Sequence, residues 1–298
     1  MRICVFTGCM SRLVFGWGAD GHMIVARIAQ QVVDSNVREL LFTILGVDSL
    51  ASVANWADQI DHTAEFSWTK CMHYVDSEDD VCAVDYPTDC RNGCCVVSAI
   101  HNYTERAHPP DLDTHNTAEA LKFLIHFYGD VHQPLHAGRK SDMGGNSIHV
   151  HTQHTQHMSN LHSVWDSLIL DEFMSESKFT YNQYADLLFS KIGTYDDFRK
   201  WVGTCVMDDC PLVAAEESAQ LACEFAYTNE KDEPVVNGSV LSKAYFDTRM
   251  SVIETRLAAA GVRLGTILNQ WAALPSNASK TDVTSTDDII PHVFIVFQ

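Results

Sequence analysis

Basic residues are scarce in this chain: 20 Lys and Arg stand against 39 Asp and Glu, a formal net charge of −19 over 298 residues. Gripping a polyanion across a broad surface rests on Lys and Arg neutralising phosphates, so a basic nucleic-acid-binding face is excluded. Any phosphate chemistry here has to bring its own cations. No pair of cysteines has the two-residue gap typical of zinc-thiolate sites. The apolar C-terminal stretch 289–298 is far short of the roughly twenty residues a membrane span needs. There is no internal repeat and no strand-helix alternation, which removes solenoids and parallel α/β folds. What remains is an ordinary globular composition, 46% hydrophobic, ample for a core.

Residues 1–16 read as an export signal. Arg2 gives a positive start, two apolar runs form the body, and Val14-Phe15-Gly16 ends in a small residue suited to cleavage. Arg12 interrupts the apolar body, and a buried N-terminal strand is the alternative. Cleavage leaves 18 basic against 39 acidic groups, a net charge of −21, with Trp17 as the new N-terminus. Eight cysteines remain, at 71, 82, 90, 94, 95, 205, 210 and 223, an even number suited to an oxidising compartment. Their spacing does not assign the pairing. Asn102, Asn237 and Asn277 head N-x-S/T acceptors for glycosylation, in keeping with a secreted protein.

The patterning is helical almost throughout. The run from His22 is apolar nearly all round and predicts a buried helix. Asp34-Ser35 caps a second helix closed by Gly46, and Ser49 starts a third. Residues 61–95 hold five of the eight mature cysteines and predict an irregular excursion, with a short strand or extended segment around His73. Helical periodicity resumes at Cys95, and Thr114 or Asn116 caps the helix that carries Leu121, Leu124, Ile125 and Tyr128. Gly144-Gly145-Asn146 signals a turn followed by a brief hairpin. Later helices are expected over 180–193 and 212–226, then a long one ended by Gly261 and a last one stopping at Pro275. The fold class is therefore all-α: a helical domain over 17–275 with short irregular or β excursions. A polar tail, 276–298, ends as a loose end or as a truncated surface anchor.

Within this frame, two pairs carry chemistry. His126 and Asp130 are four residues apart, as are His162 and Asp166, and on a helix that spacing puts both side chains on one face. Each pair is a metal clamp. His136 follows Pro134, which cannot continue the helix and turns the chain so that a third ligand can fold back. Imidazole with carboxylate suits zinc. Core packing is the bland reading for any one histidine, but it explains two spaced pairs poorly. Asp58, His73 and His22 are further ligand candidates, and a free α-amino group on Trp17 can bind zinc once deprotonated.

Taken together, Trp17-Gly18-x-x-Gly21-His22, Trp56-Ala57-Asp58, His73-x-x-Asp76, the run His126 to His136, Gly144-Gly145-Asn146 and Asn160-Leu161-His162-Ser163-x-Trp165-Asp166 resemble the class I zinc nucleases, the single-strand-preferring nuclease/3'-nucleotidase family. The likeness runs from residue 17 to about 272 with its motifs in order. It implies an all-α fold shared with zinc-dependent phospholipases C, three Zn2+ in a cleft, and hydrolysis of RNA, single-stranded DNA and 3'-nucleotides. By resemblance, Asp58, His73, His126 and Asp130 hold one ion, and His136, His162 and Asp166 a second. Trp17 and His22 hold a third, with Asp130 shared and Asp58 orienting the nucleophile. Tyr74, Asp76, Gly145 and Asn146 match the family's base pocket. No obligate protein partner is implied and a monomer is expected.

One departure concerns Asp61, where relatives often carry a basic residue, so a cation expected near the phosphate is missing. His149, His151, His154 and His157 have no counterpart in the family; a solvated loop is preferred to a metal-scavenging or pH-sensing strip. Two other classes compete, a phospholipase C of the same architecture and a non-catalytic zinc-binding secreted protein.

Overall fold

The computed structural model describes residues 17–79, 81–107, 114–153, 158–194, 198–203, 205 and 207–274. The expected leader and the tail lie outside them, as do Asn277, His154 and His157. Twelve α-helices and a three-stranded sheet make up the described residues, so the fold is mainly α as the sequence predicts. In order the helices are α1 (Ala19–Val32), α2 (Ser35–Leu45), α3 (Trp56–Ile60), α4 (Tyr86–Asp89), α5 (Val96–Arg106) and α6 (Thr114–Asp130). After the sheet come α7 (Leu161–Ser163), α8 (Ile169–Ser177), α9 (Tyr181–Lys191), α10 (Phe198–Gly203), α11 (Cys210–Leu221) and α12 (Lys243–Ala273).

The helix α6 is the centre. From Phe123 to Asp130 every side chain or glycine is buried, which leaves its C-terminal turns without a solvent face. On one side Phe123 stacks on Tyr103 of α5 at 4.3 Å. The helix α1, buried through His22, Ile24, Val25, Ile28 and Ala29, runs beneath α12. Here the structure corrects the sequence reading, because α12 is one helix of 31 residues and Gly261 lies inside it. A Cβ on Gly261 would come within 2.5 Å of Ile28 Cβ, and one on Gly265 within 2.5 Å of Val32 Cβ. Both glycines let two backbones approach, which is a packing role that outweighs their poor helix propensity.

The excursion after α3 is less extended than expected. The third helix is shorter, a 3-10 turn at Leu50–Ser52 followed by α3, and residues Ser67–Met72 form a 3-10 helix. Only the next residues are extended, and they run beside the His136–Gly138 segment, with Val75 N donating to His136 O at 2.7 Å. All eight cysteines of the described residues are paired: Cys71–Cys94, Cys82–Cys223, Cys90–Cys95 and Cys205–Cys210. The hairpin predicted after Asn146 is present as β1 (His149–Thr152) and β2 (Met158–Asn160). A third strand, β3 (Val240–Leu241), joins β1 in parallel, a pairing too short and too distant in sequence to be read from the chain.

Behind the turn that leaves α6 lies a buried ionic network. Arg256 Nε donates to His132 O at 2.9 Å, and Arg263 donates to His132 Nε2 at 3.1 Å. Both arginines are tied to Glu217, at 2.6 and 2.7 Å. Burial works against the Glu217 charge, but the hydrogen bond from Arg263 and the two arginine charges hold its pKa down at about 2. A folded pKa below the unfolded value of 4.5 gives stability that is present above pH 4.5 and lost as pH falls towards 2, about 3 kcal/mol in all. Burial pushes Arg256 down to about 10, a standing cost that does not vary across the acid range. Glu217→Gln is therefore expected to lower stability by about 3 kcal/mol at pH 7, with the deficit shrinking from pH 4.5 to 2. Urea midpoints of the two proteins across that range measure it, and a constant deficit would show that the charge is not what stabilises.

Candidate metal centre

Four elements converge on Asp130. It ends α6 one turn after His126, and His22 of α1 reaches it with Nε2 at 3.3 Å from Oδ1. His73, delivered by the Ser67–Met72 helix, places Nδ1 at 3.0 Å from Asp130 Oδ2 and 3.5 Å from Asp58 Oδ1. His126 Nε2 lies 3.2 Å from both of those carboxylates. Past the Pro134 turn, His136 Nε2 lies 3.6 Å from Asp166 Oδ1, and His162 Nε2 lies 3.3 Å from Asp166 Oδ2. The second clamp straddles α7 and the π-helical turn Val164–Leu168. Eight of the nine sequence-predicted ligand residues thus bring their side chains together. They fall into three groups with ligand atoms within 4.8 Å of one another: His22, Asp58 and His126; His73, His126 and Asp130; His136, His162 and Asp166.

The ninth, Trp17, is fully buried beside them. Gly18 N donates to Asp166 O at 2.7 Å, which pins the start of the described chain to the second clamp.

The hydrogen bonds of the histidines indicate what these groups can hold. His126 Nδ1 pairs with Ala54 O at 2.8 Å, His136 Nδ1 with His73 O at 2.7 Å, and His162 Nδ1 with Gly144 O at 2.7 Å. A carbonyl only accepts, so each Nδ1 carries the hydrogen, and Nε2, which offers a lone pair whenever the ring is neutral, is turned towards a carboxylate. Two acceptors face each other unless a proton or a cation lies between them. Metal-ligating histidines show this arrangement, with the second ring nitrogen donated to a carbonyl. Buried atoms without a hydrogen-bond partner cluster at the same place: His22 Nε2, Asp58 Oδ1, Asp130 Oδ1, His136 Nε2 and Asp166 Oδ2. The donor set fits divalent metal ions.

Charge follows the same lines. Burial alone would raise the pKa of Asp130, but the His126 charge and the close imidazoles of His126, His22 and His73 hold it well below the carboxylate range. For His126 burial lowers and the Asp130 and Asp58 carboxylates prevail, raising it well above an ordinary imidazole. His22 is lowered, by burial and then by the His126 charge, and stays neutral more readily.

The sequence assigns no role to several supporting residues, Gln133 and Gly129 standing in it only as positions of the family motif. Gln133 donates Nε2 to Asp166 Oδ1 and accepts from Leu135 N, bridging the two clamps. Tyr227 donates to Asp142 Oδ1 at 3.0 Å, and the same oxygen accepts from Gly145 N, which sets the turn whose Gly144 carbonyl orients His162. Gly129 has a similar role at close range: a Cβ there would meet His22 Nδ1 at 2.6 Å. Alanine favours a helix by about 1 kcal/mol over glycine, so Gly129→Ala is not expected to weaken α6 itself. It is expected to displace His22, reducing metal content and slowing turnover by up to about a hundredfold. Elemental analysis with a rate measurement checks this, and an unchanged pair of values would remove His22 from the centre.

Beside His136 and His162 opens a cavity of about 250 Å³, lined also by Tyr74, Asp76, Leu135, Met143, Gly144 and Asn146. Of the four residues matched to a base pocket, three line it and Gly145 sits behind its neighbour Gly144. Met143, held at φ +55° and 60% exposed at the rim, was not anticipated. Burial pushes the Asp76 carboxyl up to about 6, with Lys140 opposing and Asp142 and Asp89 adding to it. Asp61 is buried, with His62 Nδ1 3.6 Å from its Oδ1. His149 and His151 lie exposed on β1, away from the buried groups above.

A mainly helical chain that gathers buried His and Asp ligand groups beside an open cavity has the makings of a metal-centre protein. The S1/P1 nuclease family model matches residues 17–273, which is nearly all that the structure describes. Nuclease S1 of Aspergillus oryzae (strain ATCC 42149 / RIB 40) is 35% identical over 291 residues, covering 93% of this chain and 99% of that protein. Endonuclease 5 of Arabidopsis thaliana is 35% identical over 292 residues, covering 90% and 96%, and Nuclease P1 of Penicillium citrinum is 34% identical over 271, covering 85% and 97%. The chain belongs to the S1/P1 nuclease family.

Proposed function

We propose that this chain is a secreted zinc-dependent nuclease that hydrolyses RNA and single-stranded DNA to 5'-nucleotides and removes phosphate from 3'-nucleotides. The observation that carries the reading is the set of three imidazoles, each hydrogen-bonded through Nδ1 to a main-chain carbonyl with Nε2 turned to a carboxylate, two of them, His136 and His162, at the edge of a cavity. Family membership supports the reaction class. The proposed ligand sets are Asp58, His73, His126 and Asp130; His136, His162 and Asp166; and Trp17 with His22 and Asp130. These residues would hold three Zn2+, which would supply Lewis-acid charge against the phosphate and lower the pKa of an attacking water towards neutrality.

The chain's own residues do the rest. Asp58 is the ligand candidate with the most exposed side chain, at 22%; its buried Oδ1 faces His126, so the second carboxylate oxygen is the one left to orient the nucleophile. Tyr74 offers an aromatic face and Asp76 a carboxylate for a nucleobase, with Asn146 on the opposite wall. Above about pH 6 Asp76 accepts from a base amino group, and below it the carboxyl donates. The net charge of −19 is locally offset by the cations, which reconciles an acidic protein with a polyanionic substrate. Four disulfides suit a secretory compartment, and cleavage after Gly16 with glycans at Asn102, Asn237 and Asn277 completes that proposal. The catalytic domain is assigned to 17–275, acting as a monomer.

Hydrolysis of 3'-AMP, poly(A) and a phosphatidylcholine analogue, each with and without chelator, tests the reading together with elemental analysis. Turnover of the first two that chelator abolishes, with close to three zincs per chain, is the expected result. Turnover of the lipid analogue alone would transfer the chain to the phospholipase C class. No turnover of any substrate would leave a zinc-binding protein without catalysis.

A further inference from the structure

The exposed face of the hairpin carries soft metal donors that the nuclease reading does not use. Along β1 exposure alternates, His149 and His151 outward, Val150 and Thr152 inward, as a strand with one covered face requires. In the antiparallel register His151 pairs with Met158 of β2. Directly paired residues point to the same side with Cβ atoms about 5 Å apart, and the diagonal to His149 is about 7 to 8 Å, within reach of long side chains. Met158 is 62% exposed, an apolar side chain set outward on the face that carries the imidazoles rather than tucked into the core. His149 is also pre-oriented. Its Nδ1 pairs with Ser147 O at 3.2 Å, which leaves the Nε2 lone pair free, and its main-chain N donates to Asn237 Oδ1 at 2.7 Å, which fixes the strand end.

We propose that His149, His151 and Met158 form a surface site for monovalent copper, separate from the buried His/Asp centre. Two imidazoles and a thioether are uncharged and polarisable, a set that favours soft Cu+ over hard divalent ions. The hydrogen bond from His149 Nδ1 to a main-chain carbonyl supplies the outer-shell orientation that ligating histidines show. All three donors come from paired strands, so two of the three are aligned by main-chain hydrogen bonding before any ion arrives.

Silver(I), a redox-inert substitute for Cu+, tests the site on the zinc-loaded full-length chain by native mass spectrometry and calorimetric titration. One Ag+ per chain is expected with zinc content and nuclease rate unchanged. His149→Ala, His151→Ala and Met158→Leu, all exposed and outside the centre, are each expected to weaken it by at least about tenfold, the lower end of what losing a mere outer-shell partner costs. Failure to bind Ag+, displacement of one zinc for each silver taken up, or an affinity unchanged in any of the three variants overturns the proposal. Each of these outcomes is read without reference to substrate, so it stands apart from the fate of the nuclease assignment.

Discussion

Asp130→Asn is expected to abolish turnover, by at least about a thousandfold, well beyond the roughly ten- to hundredfold that removing a partner outside the ligand set costs. The reason is position. One carboxylate lies within 3.7 Å of His22, His73, His126 and His136, so it joins the two clamps and the N-terminal helix. The amide keeps the volume and the α6 terminus but removes the charge that buried cations need opposite them, and burying an unpaired charge is costly. Metal content should fall by more than one zinc per chain, because the residue is shared. Circular dichroism and elemental analysis of the purified variant separate loss of metal from loss of fold. A folded Asp130→Asn protein with full zinc and near-normal rate would falsify the shared-ligand model.

The second large effect is expected at Trp17. It is fully buried, a Cβ on Gly21 would press on its side chain at 2.8 Å, and the next residue hydrogen-bonds to Asp166 O. If its α-amino group is a ligand, removal of residues 1–16 is part of assembling the centre. Retaining one extra residue, or acetylating Trp17, should leave the helices and disulfides intact yet cost one zinc and roughly a hundredfold in rate. His22→Ala should produce a similar partial loss, and combining the two should add little, since both changes act on one ion. Mass spectrometry of active enzyme showing residues before Trp17 would end the idea, as would an acetylated form with full zinc.

The clamps were legible because a helix repeats every 3.6 residues and two ligands four apart need nothing else to face the same way. Gly46 was legible too, since a left-handed residue at a helix end is a local event, and its φ of +66° fits. Gly261 misled for the complementary reason: its small size answers to Ile28, 233 positions away, and nothing beside it in the chain says so. The same holds for Gln133, Tyr227 and Met143, whose roles depend on what the fold sets against them. Cysteine count indicated disulfides but not partners, because Cys94 and Cys95 are adjacent and yet bond to Cys71 and Cys90 respectively. Cys71 and Met72 read as the start of the extended segment around His73 and fall instead at the end of a 3-10 helix, a short element whose marginal preference tertiary contacts decide.

The long α12 also governs when the molecule can be completed. At 31 residues it spans about 46 Å, and it covers one face of α1, the helix that brings His22 to Asp130. The helix α1 ends at Val32 and α12 begins only at Lys243, so the face of α1 that packs on α12 stays uncovered until that distant segment has been made. Contacts between such distant segments carry the largest loop-closure cost and form late. Assembly of the centre therefore waits for α12 to be made, which keeps a nuclease inert while that stretch of its own RNA is still being read.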